Sequence, residues 1–302
     1  MRRLGCRASF VAAIAAALPA ASLLASGPAA AVVSATDDTG RTITLAAPAR
    51  RIVSLAPHTT ELLFASGAGS WLVGVTDYSD YPPQANRIPS VGSAAAFDVE
   101  RIVSLRPDLV VAWGSGNSAS KIAALRQLGI PVFDSEPREF ETIASSMERL
   151  ARLAGTEPAG QAAARAFRVR LQTIAASYRQ RPPVRVFYQI WRAPLMTLND
   201  DHLVSDAIQL CGGQNIFGKL RQLAPSVSME AVLKENPEVI ITGSGGEPDP
   251  LAQWRRFPAI TAVARDNLFT VASETMTRSG PRILDGTETL CRQLALARSR
   301  RK

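Results

Sequence analysis

The chain has 302 residues, of which 46% are hydrophobic, and a formal charge of +8. That length allows one large or two medium domains, and that apolar content is enough to build substantial cores. Basic segments interleaved with aromatics are lacking, which argues against a nucleic-acid surface. No Walker A, G-x-G-x-x-G or G-x-S-x-G run occurs, and neither of the two histidines, His58 and His202, belongs to a recognised zinc-site pattern, so a zinc site is not expected.

Residues 1–31 have the form of a secretory signal peptide: three arginines in "MRRLGCR", then an uncharged apolar run, then small residues ending near Ala31. Cys6 precedes the apolar run and is wrongly placed for a lipoprotein cysteine. Removing Arg2, Arg3 and Arg7 leaves a charge of +5, with Arg298, Arg300, Arg301 and Lys302 crowded at the end. That basic tail, residues 298–302, is expected to be disordered or solvated. Only Cys211 and Cys291 then remain, an even number for an oxidising compartment. A disulfide between them closes a loop of about 80 residues, worth ~4 kcal/mol on the chain-entropy model.

Residues 32–46 alternate around the polar turn "TDDTGR" and suggest a hairpin. "RIVSL" is a β-branched strand, and "ELLFASGAG" continues as a helix capped by Thr59 or Thr60, with Glu61 in its first turn. "WLVGVT", "DLVVAW" and "IPVFDS" are further strands, with the helix "SASKIAALRQLG" between the last two. The pattern then turns helical for almost 40 residues, interrupted at "GTEP" and stopped by Pro182 and Pro183. Strand–helix alternation resumes with "VRVFYQIW", "LVSDAIQLCGG" and "DNLFTVAS", and "RILDGTETLCRQLALAR" closes the chain as a helix. The expected organisation is an N-terminal α/β lobe (32–154), a linker helix (155–182) and a C-terminal α/β lobe (183–297): two Rossmann-like lobes joined by a single long α-helix.

One unit is written twice. "DVERIVSLRPDLVVAWGSG" (98–116) and "SMEAVLKENPEVIITGSG" (228–245) each give a short helix, a proline break and a strand. In both, a glutamate stands seven residues before the proline: Glu100 before Pro107, Glu230 before Pro237. Two copies of long period imply two similar lobes rather than a solenoid. Taken alone, the glutamate suits a helix start, with Asp98 or Ser228 as the cap.

No residue set asks for catalysis. Aromatic and charged residues gather instead at strand ends: Tyr78 and Tyr81 in "DYSDYPP", Trp113 after "LVVA", Trp191 after "VFYQI", and Glu274 and Arg278 past "LFTVAS". In open α/β sheets ligands bind outside the carboxyl ends of the strands, so two facing lobes would enclose an aromatic cleft. Phe64, Phe187 and Phe269 are expected in the core instead.

The stretches "GVTDYSDYPPQA", "ERIVSLRPDLVVAWGSGN" and "CGGQNIF" resemble the substrate-binding proteins of ABC importers that carry iron–siderophores, haem and cobalamin, and most closely that family's cobalamin-binding members. The similarity runs over about residues 50 to 296. The resemblance implies a periplasmic, monomeric, non-catalytic receptor that needs no cofactor or metal of its own. It would capture a corrinoid between its lobes and deliver it to an inner-membrane permease dimer with its ATPase subunits. Tyr78, Trp113, Glu274 and Arg278 match pocket positions, Cys211 and Cys291 match the family disulfide, and Glu100 and Glu230 match the glutamates that dock onto permease arginines. Ala94, Ala224 and Ile190 stand where the family has pocket aromatics, with Trp191 beside the last as a substitute. A ferric siderophore or haem is the competing ligand, since Tyr78 or Tyr81 can bind iron. A periplasmic enzyme using the cleft is the competing class.

Overall fold

The structure, a computed structural model, describes residues 32–245 and 248–301 together with Met1 and Gly5. Apart from those two positions the expected signal peptide, with Cys6, lies outside the described residues, as does Lys302. Strands β1 (Val33–Thr36) and β2 (Thr42–Leu45) form the expected antiparallel hairpin. The Asp37 carboxylate closes its turn, accepting from the backbone N–H groups of Thr39 and Arg41 at 2.9 Å each.

The elements that follow are β3 (Ile52–Ser54), α1 (Pro57–Ala65), β4 (Leu72–Val75), α2 (Val99–Ser104), β5 (Leu109–Trp113), α3 (Ala119–Gln127) and β6 (Val132–Ser135). The four strands make one parallel sheet in the order β4-β3-β5-β6. Helices α4 (Phe140–Ala154) and α5 (Glu157–Tyr178) come next. Then follow β7 (Val184–Gln189), α6 (Leu203–Leu210), β8 (Gly213–Asn215), α7 (Met229–Glu235), β9 (Val239–Ser244), α8 (Thr261–Ala264), β10 (Leu268–Ala272), α9 (Ser273–Met276) and α10 (Ile283–Ser299). Their strands form a second parallel sheet, β10-β9-β7-β8. Counted within each lobe, both sheets have the order 2-1-3-4. The connections therefore change direction between β3 and β5 in one lobe and between β7 and β9 in the other, the switch points at which open α/β sheets bind ligands.

Parallel sheets are covered on both faces, and their strands read as unbroken apolar runs. In β5, Leu109 and Val111 join one core while Val110 and Ala112 join another on the opposite face. The first of these cores is continuous across the molecule, running from the hairpin through α4 and α5 to α10. Helix α5, 22 residues long, spans about 33 Å at 1.5 Å per residue. It is pinned to both lobes. Arg168 pairs with Glu141 and Glu148 of α4, and Arg170 pairs with Asp285 at 2.7 Å and Glu288 at 2.8 Å on α10. Gly160 allows α4 and α5 to approach closely, because a Cβ there would lie 2.3 Å from that of Ala151.

The repeat extends to backbone conformation. Arg106 and Asn236, each just before the repeated proline, adopt left-handed φ values of 46° and 43°. Arg51 donates to the carbonyl of Leu105 at 2.7 Å, and Arg185 donates to that of Glu235 at 2.7 Å, so each lobe holds the end of its short helix with an arginine. Cys211 and Cys291 are disulfide-bonded, with Cα atoms 4.7 Å apart.

Three expectations are corrected. Helix α1 starts at Pro57 with Ala56 as its N-cap, so Thr59 and Thr60 lie inside it and Glu61 falls beyond its first turn. Proline supplies a ready-made helical φ at this position, and the Thr59 hydroxyl accepts from the Ala56 N–H at 3.1 Å. Strand β7 ends at Gln189, which leaves Trp191 two residues beyond it, paired in a bridge with Met196. The basic tail is ordered as far as Arg301. Arg298 donates to the carbonyls of Pro182, Cys211 and Gly212 at 2.7, 2.8 and 2.9 Å. Arg300 donates to Asp266 O, and Arg301 pairs with Glu238 at 2.8 Å. Backbone carbonyls left over at turns give these cations partners that composition does not reveal.

Candidate functional site

Trp113 is the last residue of β5, at the switch point of the N-terminal lobe. Its backbone N–H donates to Asn117 Oδ1 at 2.7 Å. The amide nitrogen of Asn117 donates in turn to Leu55 O at 3.0 Å and Ala94 O at 2.7 Å, tying together the ends of three segments. The indole packs on Gly116, where a Cβ would lie 1.9 Å from the ring. That contact gives the "GSGN" loop a purpose beyond turning the chain. The indole also meets His58, edge to face, with ring centres 5.7 Å apart. Tyr78, in the loop after β4, has φ 63° and is 79% exposed. A tyrosine held in that conformation and open to solvent is not a core residue.

In the C-terminal lobe, the carboxyl ends of β7, β9 and β10 surround a cavity of about 490 Å3 lined by Gln189, Ile190, Trp191, Thr242, Ser273 and Thr277 among others. Its volume lies within the range of small-molecule sites. Trp191 is 61% exposed, with its indole N–H held by Ala193 O at 2.8 Å. Glu274 is exposed on α9, between the lining residues Ser273 and Thr277.

The two sets are joined by ion pairs. Arg278, beyond α9, donates through Nη1 to Asp80 at 2.7 Å and to Glu61 at 3.4 Å. Arg282 holds Glu61 with two bonds, at 2.7 and 3.0 Å, and stacks on Tyr81, 4.0 Å from the ring centre. Asp80 follows β4 and Arg278 follows β10, so the carboxyl-end loops of the two sheets meet. The Arg278 guanidinium holds the Asp80 carboxyl below its ordinary range. His58 is lowered to about 4, chiefly by burial; the Ser135 backbone acts the other way and nearby Arg278 adds to the lowering. The imidazole at the base of this region is therefore neutral.

Glu100 and Glu230 occupy matching places, each the second residue of its helix and each exposed. The cap is made by Asp98, accepting from Arg101 N at 3.1 Å, and by Ser228, accepting from Ala231 N at 3.1 Å. The Glu230 carboxyl is lowered first by its own backbone N–H and then by the Ser228 hydroxyl. Both helix starts lie at the carboxyl-end edge of their sheets. Asp98 N bonds Val91 O and Val91 N bonds Val75 O at the end of β4, while Val227 N bonds Leu195 O in the segment after β7. The glutamates and the aromatic loops thus share one edge of the molecule, not opposite ends of it.

Among the described residues no group of three or more His, Cys, Asp or Glu side chains is placed to hold a metal ion, and no helix is long and apolar enough to cross a membrane. His202 instead caps α6, its Nδ1 accepting from Val204 N at 3.1 Å. Sequence reasoning assigned no such roles to Glu61, Asp80, Arg282 and Asn117 and left His58 isolated. Only the burial of a carboxylate within "ELLFA" could have drawn attention to the first.

Two parallel α/β lobes meeting at their carboxyl-end loops and tied by one long helix define a bilobed binding protein. The chain belongs to the periplasmic binding protein family, whose model matches residues 52–275. It is 40% identical over 251 residues to the vitamin B12-binding protein of Vibrio cholerae, covering 83% of this chain and 91% of that one. It is 37% identical over 249 residues to the vitamin B12-binding protein of Yersinia pestis, covering 82% and 87%. The crystal structure of the periplasmic vitamin B12 binding protein BtuF of Vibrio cholerae matches with a TM-score of 0.77, over 83% of this chain and 98% of that one. The periplasmic heme-binding protein RhuT from Roseiflexus, 22% identical with a TM-score of 0.73 over 82% of this chain and 99% of that one, shares the fold.

Proposed function

We propose that this protein is an exported, monomeric substrate-binding protein that captures cobalamin or a related corrinoid between its lobes and delivers it to an inner-membrane ABC permease. The observation that carries this reading is the meeting of two aromatic-bearing strand-end edges at the Arg278–Asp80 bridge, in a chain 40% identical to a vitamin B12-binding protein. Tyr78 and Trp113 provide rings on one side, Trp191 and Ile190 an apolar wall on the other. Stacking and burial of a macrocycle on such surfaces contribute most of its affinity. Arg278 Nη1 is taken by carboxylates, while Nε and Nη2, without partners among the described residues, can meet carbonyl oxygens of the ligand, and Glu274 can accept from ligand amides.

Because Arg168 and Arg170 fasten α5 to both lobes, closure on the ligand is a small lobe movement rather than a wide hinge. Calorimetry on residues 32–302 with cyanocobalamin, cobinamide, haemin and a ferric siderophore tests the reading. Heat with cyanocobalamin or cobinamide is expected. Heat only with haemin or the siderophore would transfer the scaffold to another ligand, and no heat with either corrinoid would end the proposal.

A further inference from the structure

His58 is a buried titratable group to which the proposed function gives no task. It sits at the start of α1, directly after β3, while Trp113 ends β5. Those strands are neighbours on either side of the switch point of the N-terminal sheet. The indole thus has two neighbours, the bare backbone of Gly116 and the imidazole set nearly perpendicular to it, at 83°. His58 is only 6% exposed, and its Nε2 has no hydrogen-bond partner among the described residues.

We propose that His58 is a positioning residue for Trp113: its ring braces the indole against Gly116, so that the indole presents a fixed face to the ligand. The inference rests on the reading of Trp113 as a ligand contact. A buried nitrogen without a partner opposes folding, so a hydrogen bond through Nε2 is not what this side chain supplies here. Its shape and aromatic edge are. The ring also has to remain uncharged, because an imidazolium beside Arg278 with no carboxylate of its own would draw in water and loosen the packing. Burial meets that need, keeping the group neutral across the neutral pH range. A ligand-stacking indole that is already immobile gives up less freedom on binding than one that must be ordered, which is the general benefit of preorganisation.

A bracing ring distinguishes among replacements. Phenylalanine keeps the ring and removes the unpaired nitrogen. Asparagine keeps polarity and loses the ring, and alanine leaves the indole unsupported. The test is calorimetry with cyanocobalamin on His58→Phe, His58→Asn, His58→Ala, Trp113→Ala and the double variant His58→Ala/Trp113→Ala, with thermal melts confirming that each is folded. His58→Ala and His58→Asn should weaken binding about 2- to 12-fold, the range spanned by an aromatic pair. His58→Phe should bind like the parent and melt at or above its temperature. The double variant should bind no worse than Trp113→Ala alone, which is the coupling expected if His58 acts through the indole. Additive losses, or asparagine succeeding where phenylalanine fails, would overturn the proposal. An unaffected Trp113→Ala would remove Trp113 from the pocket and the inference with it. A weakened Trp113→Ala beside an unaffected His58→Ala would refute the inference alone.

Discussion

Arg282 grips Glu61 with two hydrogen bonds, at 2.7 and 3.0 Å, although the two residues are separated by 221 positions and belong to opposite lobes. The Glu61 side chain is 2% exposed, so this carboxylate has exchanged water for two guanidinium groups, those of Arg282 and Arg278. Such a pair adds little over well-packed apolar residues, but removing one partner strands a buried charge. Glu61→Gln should therefore cost about 3 kcal/mol or more, lowering the melting temperature by roughly 6–12 °C for a chain of this size. Thermal denaturation checks the value. A drop of less than a degree would mean that the arginines find other partners and that the lobes do not depend on this contact.

The ordered tail makes a second expectation. Arg298 satisfies three carbonyls, two of them at Cys211 and Gly212 beside the disulfide and one at Pro182 beyond the long helix. The Pro182 carbonyl is exposed, but those of Cys211 and Gly212 are partly buried, and such acceptors cost about 1–3 kcal/mol when they lose a charged donor. Arg298→Ala, or a chain ending at residue 297, should lose stability of that order in urea denaturation while binding cyanocobalamin normally. The basic end of the chain is thereby given a folding role in the C-terminal lobe.

The lobes, the long helix and the repeat were legible because they rest on local signals: alternation, helix stops, and one glutamate–proline spacing used twice. Thr59 and Glu61 were misjudged for a different reason. Both look like ordinary start-of-helix residues, and only the approach of Arg278 and Arg282 from the far end of the chain converts Glu61 into an inter-lobe group. His58 looked isolated since its neighbours Trp113 and Ser135 are sequence-distant. Charge patterning suggested a solvated tail, because carbonyl acceptors at a turn leave no trace in composition. The aromatics of the candidate site follow strand ends, which are local signals, whereas its ionic links depend on long-range packing.

Asp206 supplies a pH test. Burial, followed by repulsion from Glu139 and Asp200, raises its carboxyl to about 6. A group whose folded value lies above its unfolded one favours folding when protonated, so its contribution is present below about pH 4 and lost as pH rises through about 6. At pH 7.5 the ionised carboxylate thus opposes folding by about 1–2 kcal/mol after solvent screening. Asp206→Asn should raise the melting temperature at pH 7.5 and leave it nearly unchanged at pH 4. His58 and His202, both lowered to about 4 by burial, act in the opposite sense. Their contribution is present above about pH 6.5 and fades toward pH 4, so the difference between variant and parent isolates Asp206. Equal melting temperatures at pH 7.5 would show that the carboxylate is already relieved there.

The twin glutamates can be separated from the caps beside them. Asp98 and Ser228 each accept from the third residue beyond, so the helix starts are satisfied without Glu100 or Glu230. Asp98→Ala and Ser228→Ala should each lose about 1 kcal/mol of stability. Glu100→Ala and Glu230→Ala should leave the melting temperature within a degree or two, since exposed first-turn carboxylates contribute little in physiological salt. If the pair faces a permease dimer, its charges orient the encounter and raise its rate, and their place on the edge that carries the aromatic loops puts the ligand opening toward the same partner. The double variant Glu100→Ala/Glu230→Ala should then bind cyanocobalamin unchanged and fail to support its uptake in cells. The double variant Asp98→Ala/Ser228→Ala, though less stable, should still support it. Uptake that survives loss of both glutamates would return them to the role of ordinary helix-start residues.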